Sequence, residues 1–343
     1  MAKAWPPMEW RDSHVLLAVS AGPDSVAMLR AVSALKDREG GDGKLFVAHL
    51  NHHLREPDSD IDQQWLKNLC ATMELPLEVG HADVNARALE QGDGIEAAAR
   101  AARYEFLQTA AGRLGARFVA TAHTSDDQVE TVLHRLLRGT GLAGLSGMGR
   151  IRLLSSSAIL VRPLLGMRRQ TLLEYLACLQ QDYRIDLSNF DPRHTRSRLR
   201  HELLPALRQD FNPQVDLALL RLSSQAREAQ QLIDALATDL VEQSVEFEPA
   251  RDRLISEVGL SAVLVRVRIE GTPLAHQSPL LLREVFKTAW IRAGWPLQSM
   301  GYQEWERLAG LVGPGGESSP VNLPGNIQAS LSGGLVVLKR LDY

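Results

Sequence analysis

At 343 residues, 45% of them hydrophobic, the chain can bury substantial cores and is read as two domains joined by a helical connector. No stretch approaches ~20 uninterrupted apolar residues, and the start Met1-Ala2-Lys3-Ala4-Trp5-Pro6-Pro7 lacks the apolar run of a signal peptide, so no membrane partner is expected and a cytoplasmic protein is. The net charge of −3 gives no global reason to expect a polyanion; Cys70 and Cys178, far apart in sequence, support neither a disulfide framework nor a thiolate metal site and are expected to be buried small hydrophobes.

The most informative run comes first, from Val15 to Leu29. An apolar strand breaks into Ser20, Ala21, Gly22, Pro23, Asp24 and Ser25 and re-emerges as an apolar helix. Small residues let the backbone approach an anion, Pro23 suits the first helical turn, and the free amides then point at a phosphate. Ser20 and Ser25 add hydroxyl donors, and Asp24 is placed to hold a magnesium ion bridging phosphate oxygens. A Walker A loop is excluded, because no Lys precedes the Ser. The run resembles instead the SGGxDS signature of PP-loop enzymes, which split ATP between its α and β phosphates; Ala21 stands where that signature has its second Gly. Taken alone, an ordinary strand-to-helix turn capped by Asp and Ser competes with it.

Apolar β-rich runs then alternate with helical patterns, the signature of βαβ units and a parallel sheet. Strands are predicted at 15–19, 45–50, 77–79 and 117–121, and helices at 24–36, 59–73, 95–114 and 125–138. Ligands of such sheets sit outside the carboxyl ends of the strands. Ser20 to Ser25, His49 to Arg55 and His123 to Asp127 all fall there. After a glycine-rich loop at 139–149, a helix is predicted at 167–181, a polar Arg-rich surface at 186–200 and a long amphipathic helix at 213–242. The remainder mixes β-like runs at 262–269 and 327–338 with a helix at 279–292 and turns at 313–316 and 333–334. The fold class expected is α/β, a doubly wound parallel sheet followed by a helical connector and a smaller α+β domain. The boundaries read as 1–208, 209–245 and 246–343.

The second informative stretch runs from Thr121 to Thr131, leaving a strand and opening a helix. Ser125 with Gln128 is expected to form a capping box. Asp127 and Glu130, three apart on the polar side, project together as a cation site for an ammonium or magnesium. Dipole-stabilising acids of a first turn are the structural alternative, and Glu130 with His134 lacks the third ligand that zinc needs. Positive charge is segregated as well. No acidic residue lies between Glu130 and Glu174, where Arg135, Arg138, Arg150, Arg152, Arg162, Arg168 and Arg169 fall. From Arg193 to Arg208 only Glu202 accompanies Arg196, Arg198, Arg200 and their neighbours. Such stretches neutralise phosphates or form solvated helix faces.

Further motifs follow in order: Ala48 to Arg55, Gly94 to Tyr104, Leu136 to Leu145, Arg162-Pro163-Leu164-Leu165, Asp186 to Asp191, Arg196 to Arg200 and Leu203-Leu204-Pro205. In order and spacing they resemble the tRNA(Ile)-lysidine synthetases, strongly over 15–207 and weakly beyond, as in a short member of that family. The resemblance implies a ligase that uses ATP and magnesium to adenylate carbon 2 of the wobble cytidine in an isoleucine tRNA with a CAU anticodon. The ε-amine of free L-lysine then displaces AMP to give lysidine. It further implies that Ser20, Ala21, Gly22, Pro23, Asp24 and Ser25 hold the phosphates, with Asp24 as the metal ligand, and that His49, Asn51 and Arg55 shape the adenosine side. Asp127 and Glu130 would receive the lysine ammonium. Arg100, Arg103, His123 and Arg138 would surround the phosphate and developing charge, and Arg196, Arg198 and Arg200 would guide the tRNA backbone. Ser197 departs from the Asn usual in the family. Alternatives from the sequence are another PP-loop tRNA modification, such as thiolation, or a tRNA-binding paralogue that no longer turns over. Whether the chain acts alone or as a dimer stays open.

Overall fold

The computed structural model describes residues 1–52, 58–92, 94–185, 195–249, 264–312 and 320–341. The chain forms two compact units, Met1–Ala226 and Arg227–Tyr343. In the first, strands β1 (Val15–Ala18), β2 (Leu45–Asn51), β3 (Leu77–His81) and β4 (Phe118–Thr121) alternate with helices α1 (Pro23–Glu39), α2 (Asp58–Thr72), α3 (Val84–Gln91) and α4 (Ile95–Leu114). Then come α5 (Ser125–Leu137), the single turn α6 (Leu142–Leu145), β5 (Ile151–Leu153), β6 (Ile159–Val161) and α7 (Arg169–Cys178). The sheet order is β3-β2-β1-β4-β6-β5, parallel throughout except for the antiparallel edge pair β5 and β6.

The continuous apolar run of β1 follows from burial on both faces. Val15 and Leu17 pack with Val26, Leu29, Leu66 and Leu176, from α1, α2 and α7. Leu16 turns the other way, onto Leu107, Ala110 and Ala111 of α4. Alternation along the strand therefore sorts side chains between the two helical layers, and the doubly wound reading holds.

Several elements went unread in the sequence, among them a hairpin and a helix of the first unit. The β5–β6 hairpin consists of three-residue strands, too short for a period to register. Helix α3 carried ordinary signals, Asp83 as N-cap accepting from the Ala86 amide at 3.0 Å and Gly92 as a left-handed C-cap, and packs through Val84 and Ala88 on Ala98 of α4. The cysteine reading needs correction: Cys70 is buried in the core between α2 and the sheet, but Cys178, the last residue of α7, is exposed.

Helix α8 (Thr195–Arg198) continues through π-helical turns at Leu199–Leu203 and Leu207–Phe211, with α9 (Leu204–Ala206) between them. The long helix α10 (Val215–Ser244) is divided by the packing of its own side chains. Leu219 joins a cluster with Val129, Val132, Leu199 and Leu204, whereas Ala237 and Val241 belong to the core of the second unit.

That second unit holds an antiparallel sheet in the order β7-β8-β11-β10-β9, from β7 (Val245–Pro249), β8 (Leu264–Glu270), β9 (Val321–Leu323), β10 (Ile327–Ser332) and β11 (Leu335–Arg340). Helices α11 (Pro279–Arg292) and α12 (Tyr302–Gly310) share its core around Phe286 and Trp290. The single β-like run read at 327–338 is a hairpin, turned at Gly333 and Gly334, whose φ angles of 59° and 82° suit the two-residue turn between paired Ser332 and Leu335. Among the described residues no helix is long and apolar enough to cross a membrane.

Candidate active site

The carboxyl ends of β1 and β4 lie side by side, with Ala18 in register with Thr121. From β1 the chain turns through Ser20 and Ala21 into α1, whose N-cap is Gly22 and whose first residue is Pro23. Ser25 closes the loop: its hydroxyl accepts from the Ser20 amide at 3.1 Å and donates to the Gly22 carbonyl at 2.9 Å. Ala21 adopts φ 66°, a left-handed conformation of the kind found in anion nests, and is 0% exposed. Its methyl is therefore buried, and the departure from Gly acts through backbone strain of about 1 kcal/mol. Ala21→Gly is expected to stabilise the protein by about 0.5–1 kcal/mol without changing the ATP requirement. Urea melts and ATP titrations check this; a less stable variant would remove the strain.

Asp24 sits in the first turn of α1, its carboxylate 3.7 Å from Arg169. Burial pushes its pKa from 3.8 up to about 6; Arg169 and Arg200 counter this, while Asp127 and Asp126 add to it. One carboxylate oxygen, Oδ1, is buried without a partner. A buried, partnerless carboxylate oxygen beside other carboxylates is a position that a cation would relieve, which fits a metal-ligand role. Among the described residues no cluster of acidic, His and Cys side chains could hold a metal alone, so the remaining ligands would be phosphate and water.

The α5 N-terminus corrects the expected capping. Thr124 is the N-cap: its hydroxyl receives the Asp127 amide at 3.4 Å, and its own amide donates to Asp127 Oδ2 at 2.8 Å. Ser125 and Gln128 do other work. The Ser125 hydroxyl donates to the Met167 carbonyl at 3.0 Å. The Gln128 amide group accepts from the Met148 amide at 2.8 Å and donates to Ser223 Oγ at 3.2 Å, clasping the glycine-rich loop. Asp126 Oδ2 accepts from the Arg169 amide at 2.9 Å, which docks the start of α7 beside Asp24.

Asp127 and Glu130 do project together, and a cation already stands between them. Arg200 donates from Nε to Glu130 Oε1 at 2.5 Å, from Nη2 to Glu130 Oε2 at 3.0 Å and more weakly to Asp127 Oδ1 at 3.4 Å. Burial raises the Glu130 pKa and Arg200 pulls it back. Arg200 thus faces inward, against the expectation that it meets tRNA. The physical reason is packing: the π-helical turn Leu199–Leu203 that carries Arg200 buries Leu199 against Val129 and Val132 of α5, which sets the guanidinium beside Glu130. Arg196 and Arg198 remain on the outside, in exposed pairs with Glu96 and Glu202 at 3.2 and 3.4 Å. Ser197 is buried.

His123 lies between β4 and α5, its Nδ1 3.0 Å from Thr121 Oγ1. Burial lowers its pKa to about 4, opposed by Asp127 and reinforced by Arg162, Arg103 and Arg100, so the imidazole is neutral at neutral pH. His49 is buried, with Nδ1 2.9 Å from the Val19 carbonyl, and its pKa is lowered by that burial. Asn51 is buried too and donates to Asp60 at 3.0 Å. These side chains brace the carboxyl end of β2. Arg55 falls outside the described residues. Arg138 caps the far end of α5, about 16 Å along the helix from Asp127 by helical rise, and is not brought to the site.

Arg169, close to Asp24, was signalled in the sequence only by the acid-free window. With Thr124, Asp126, Glu130, Arg200, Leu204 and Arg208 it lines a cavity of about 140 Å³. A larger cavity of about 520 Å³, between Arg30, Lys44, Met73 and Pro76, opens at the amino ends of β2 and β3, away from this constellation.

A family model described as the PP-loop domain matches residues 3–207. The chain is 33% identical over 327 residues to a tRNA(Ile)-lysidine synthase of Rhodopirellula baltica, covering 90% of this chain and 82% of that one. A Nostoc relative of the same name is 29% identical, with 96% and 92% covered. One from Deinococcus radiodurans is 36% identical over 96% of this chain, which spans only 48% of that protein's length. Among solved structures, a U34-tRNA thiolase of Methanococcus maripaludis superimposes with a TM-score of 0.52 at 15% identity, covering 63% of this chain and 73% of that one, a likeness of fold. With a PP-loop domain at its start and a third of its residues shared across most of the Rhodopirellula enzyme, the chain belongs to the tRNA(Ile)-lysidine synthase family of ATP-dependent ligases.

Proposed function

We propose that this protein forms lysidine: it adenylates the wobble cytidine of a CAU-anticodon isoleucine tRNA with ATP, releasing pyrophosphate, and joins free L-lysine to carbon 2 through its ε-amine, releasing AMP. The observation that carries the reading is the juxtaposition, at neighbouring strand ends, of a phosphate-type loop ending in Asp24 with the carboxylate pair Asp127 and Glu130. Adenylation calls for donors and cations around the leaving oxygens; an incoming lysine calls for carboxylates and an acceptor for its proton.

The amides and hydroxyls between Ser20 and Ser25 bind the triphosphate, and Asp24 holds the magnesium, which when bound neutralises charge building on the pyrophosphate. Asp127 and Glu130 then grip the lysine ammonium in place of Arg200. His123, held neutral by burial, adds no charge to repel the ammonium, and the carboxylates take the proton that the amine sheds before it attacks. Arg103, which acts on His123, faces the developing negative charge.

Release of AMP and pyrophosphate from ATP, measured with the isoleucine tRNA transcript, should require lysine for AMP and the wobble cytidine for both. AMP release without lysine, or with a wobble uridine, would overturn the reading. Arg196 and Arg198 carry the tRNA contact on this view. Replacing both by Ala should flatten the slope of log affinity against log salt by about two, since each phosphate contact contributes about one, while Arg200→Ala leaves the slope unchanged. An unaltered slope in the double variant would remove that segment from the interface.

A further inference from the structure

Beside the candidate site, Tyr104 of α4 sits among arginines from three elements. The Arg100 guanidinium carbon lies 5.0 Å from the ring centroid and that of Arg152, on β5, 4.4 Å. Arg162, just past β6, also acts on the phenol. Burial by itself would raise the Tyr104 pKa, yet Arg100, Arg162 and Arg152 outweigh it and hold the phenol below its ordinary value of 10. Among the described residues none of these arginines pairs with a carboxylate. Arg162 is 2% exposed, donates from Nη1 to the Gly149 carbonyl at 2.5 Å, and keeps Nε buried without a partner.

Guanidiniums gathered this closely repel one another, and a buried one lacking a counter-ion is costly unless an anion completes the set. The ring faces are engaged by guanidiniums, so Tyr104 orients the arginines and is not a platform for a base. We propose that Arg100 and Arg152, ordered around Tyr104 with Arg162 buried behind them, seat a backbone phosphate of the RNA substrate next to the reacting nucleotide.

Position favours RNA phosphate over the phosphates of ATP. Strand β5 stands three places from β1 in the sheet, about 14 Å across at ordinary strand spacing, whereas the phosphate loop follows β1. Arg152 is exposed on that edge, flanked by Ile151 and Leu153 at 57% and 71% exposure, so the cluster is open to solvent on its outer side. At its inner side Arg100 and Arg162 both bear on His123. A strand of RNA entering over the β5 edge would meet Arg152 first and bring the next nucleotide to His123. Planar donor forks are the right chemistry for this, since they bind phosphate oxygens bidentately.

The inference rests on RNA being the substrate, and the test separates the two. Arg152→Gln alters an exposed side chain. Tyr104→Leu removes the ring that orders the arginines, with a melting curve to confirm that it folds. Each should raise KM for the isoleucine tRNA severalfold, with KM for ATP and for lysine unmoved. Between about 50 and 200 mM salt, the affinity loss of Arg152→Gln should be about fourfold smaller than that of the parent, one phosphate's worth. A higher KM for ATP, or weaker product inhibition by added pyrophosphate, would hand the seat to the nucleotide and overturn the proposal. Unchanged tRNA affinity and slope in Arg152→Gln would overturn it as well. Failure of the parent protein to bind the tRNA would instead sink the functional reading beneath it.

Discussion

Asp24→Asn is expected to abolish ATP–pyrophosphate exchange while making the protein more stable at neutral pH. The carboxyl is ordinary in the unfolded chain, with a pKa of 3.8, and is raised to about 6 when folded, chiefly by burial. Between those values the folded protein keeps a proton that the unfolded chain has released. Stability therefore falls as pH rises through this window, and the loss is complete above about pH 6. The gap corresponds to about 3 kcal/mol, which Asn, unable to ionise, avoids. Melting curves should show the variant several degrees above the parent at pH 7, converging with it near pH 4. Magnesium and ATP together should narrow the difference at pH 7, because they stabilise only the parent. Retained exchange would take Asp24 out of the phosphate chemistry. A variant melting below the parent at pH 7 would contradict the burial argument.

The second large effect is expected at Glu130, which is 4% exposed and bonded by Arg200 through both carboxylate oxygens. Glu130→Gln keeps an acceptor but loses the charge that an ammonium needs. The lysine requirement should rise roughly tenfold to a hundredfold, the equivalent of ~1.5–3 kcal/mol, with the ATP requirement nearly constant. Glu130→Ala goes further, leaving Arg200 with only the weaker Asp127 contact, and should destabilise the fold by about 3 kcal/mol. Steady-state kinetics with lysine and ATP varied separately, alongside urea melts, distinguish the roles. An unchanged lysine requirement in Glu130→Gln would leave Asp127 and Glu130 as structural partners of Arg200.

The parallel sheet was legible because each central strand is a short apolar run bounded by helical periodicity, and burial on both faces leaves such a run few alternatives. Helix α4 begins after Gly94 and ends before Gly115, and α11 begins at the Ser278-Pro279 pair, all boundary residues visible in the sequence. The phosphate-type loop and the Asp127–Glu130 spacing were equally local features. What the sequence could not show is which charges meet. Arg200 and Glu130 are seventy positions apart and Gln128 and Ser223 ninety-five, and no periodicity relates them. Thr124 is the N-cap, and the Ser125 hydroxyl instead bonds the carbonyl of Met167, forty-two positions away. The edge hairpin that presents Arg152 to Tyr104 has strands of three residues, held by pairing to a sheet already formed. Local pattern determined the elements and the kinds of chemistry available, whereas the partner of each buried charge was decided by packing, since burial makes an unpaired ion costly wherever in the chain its partner lies.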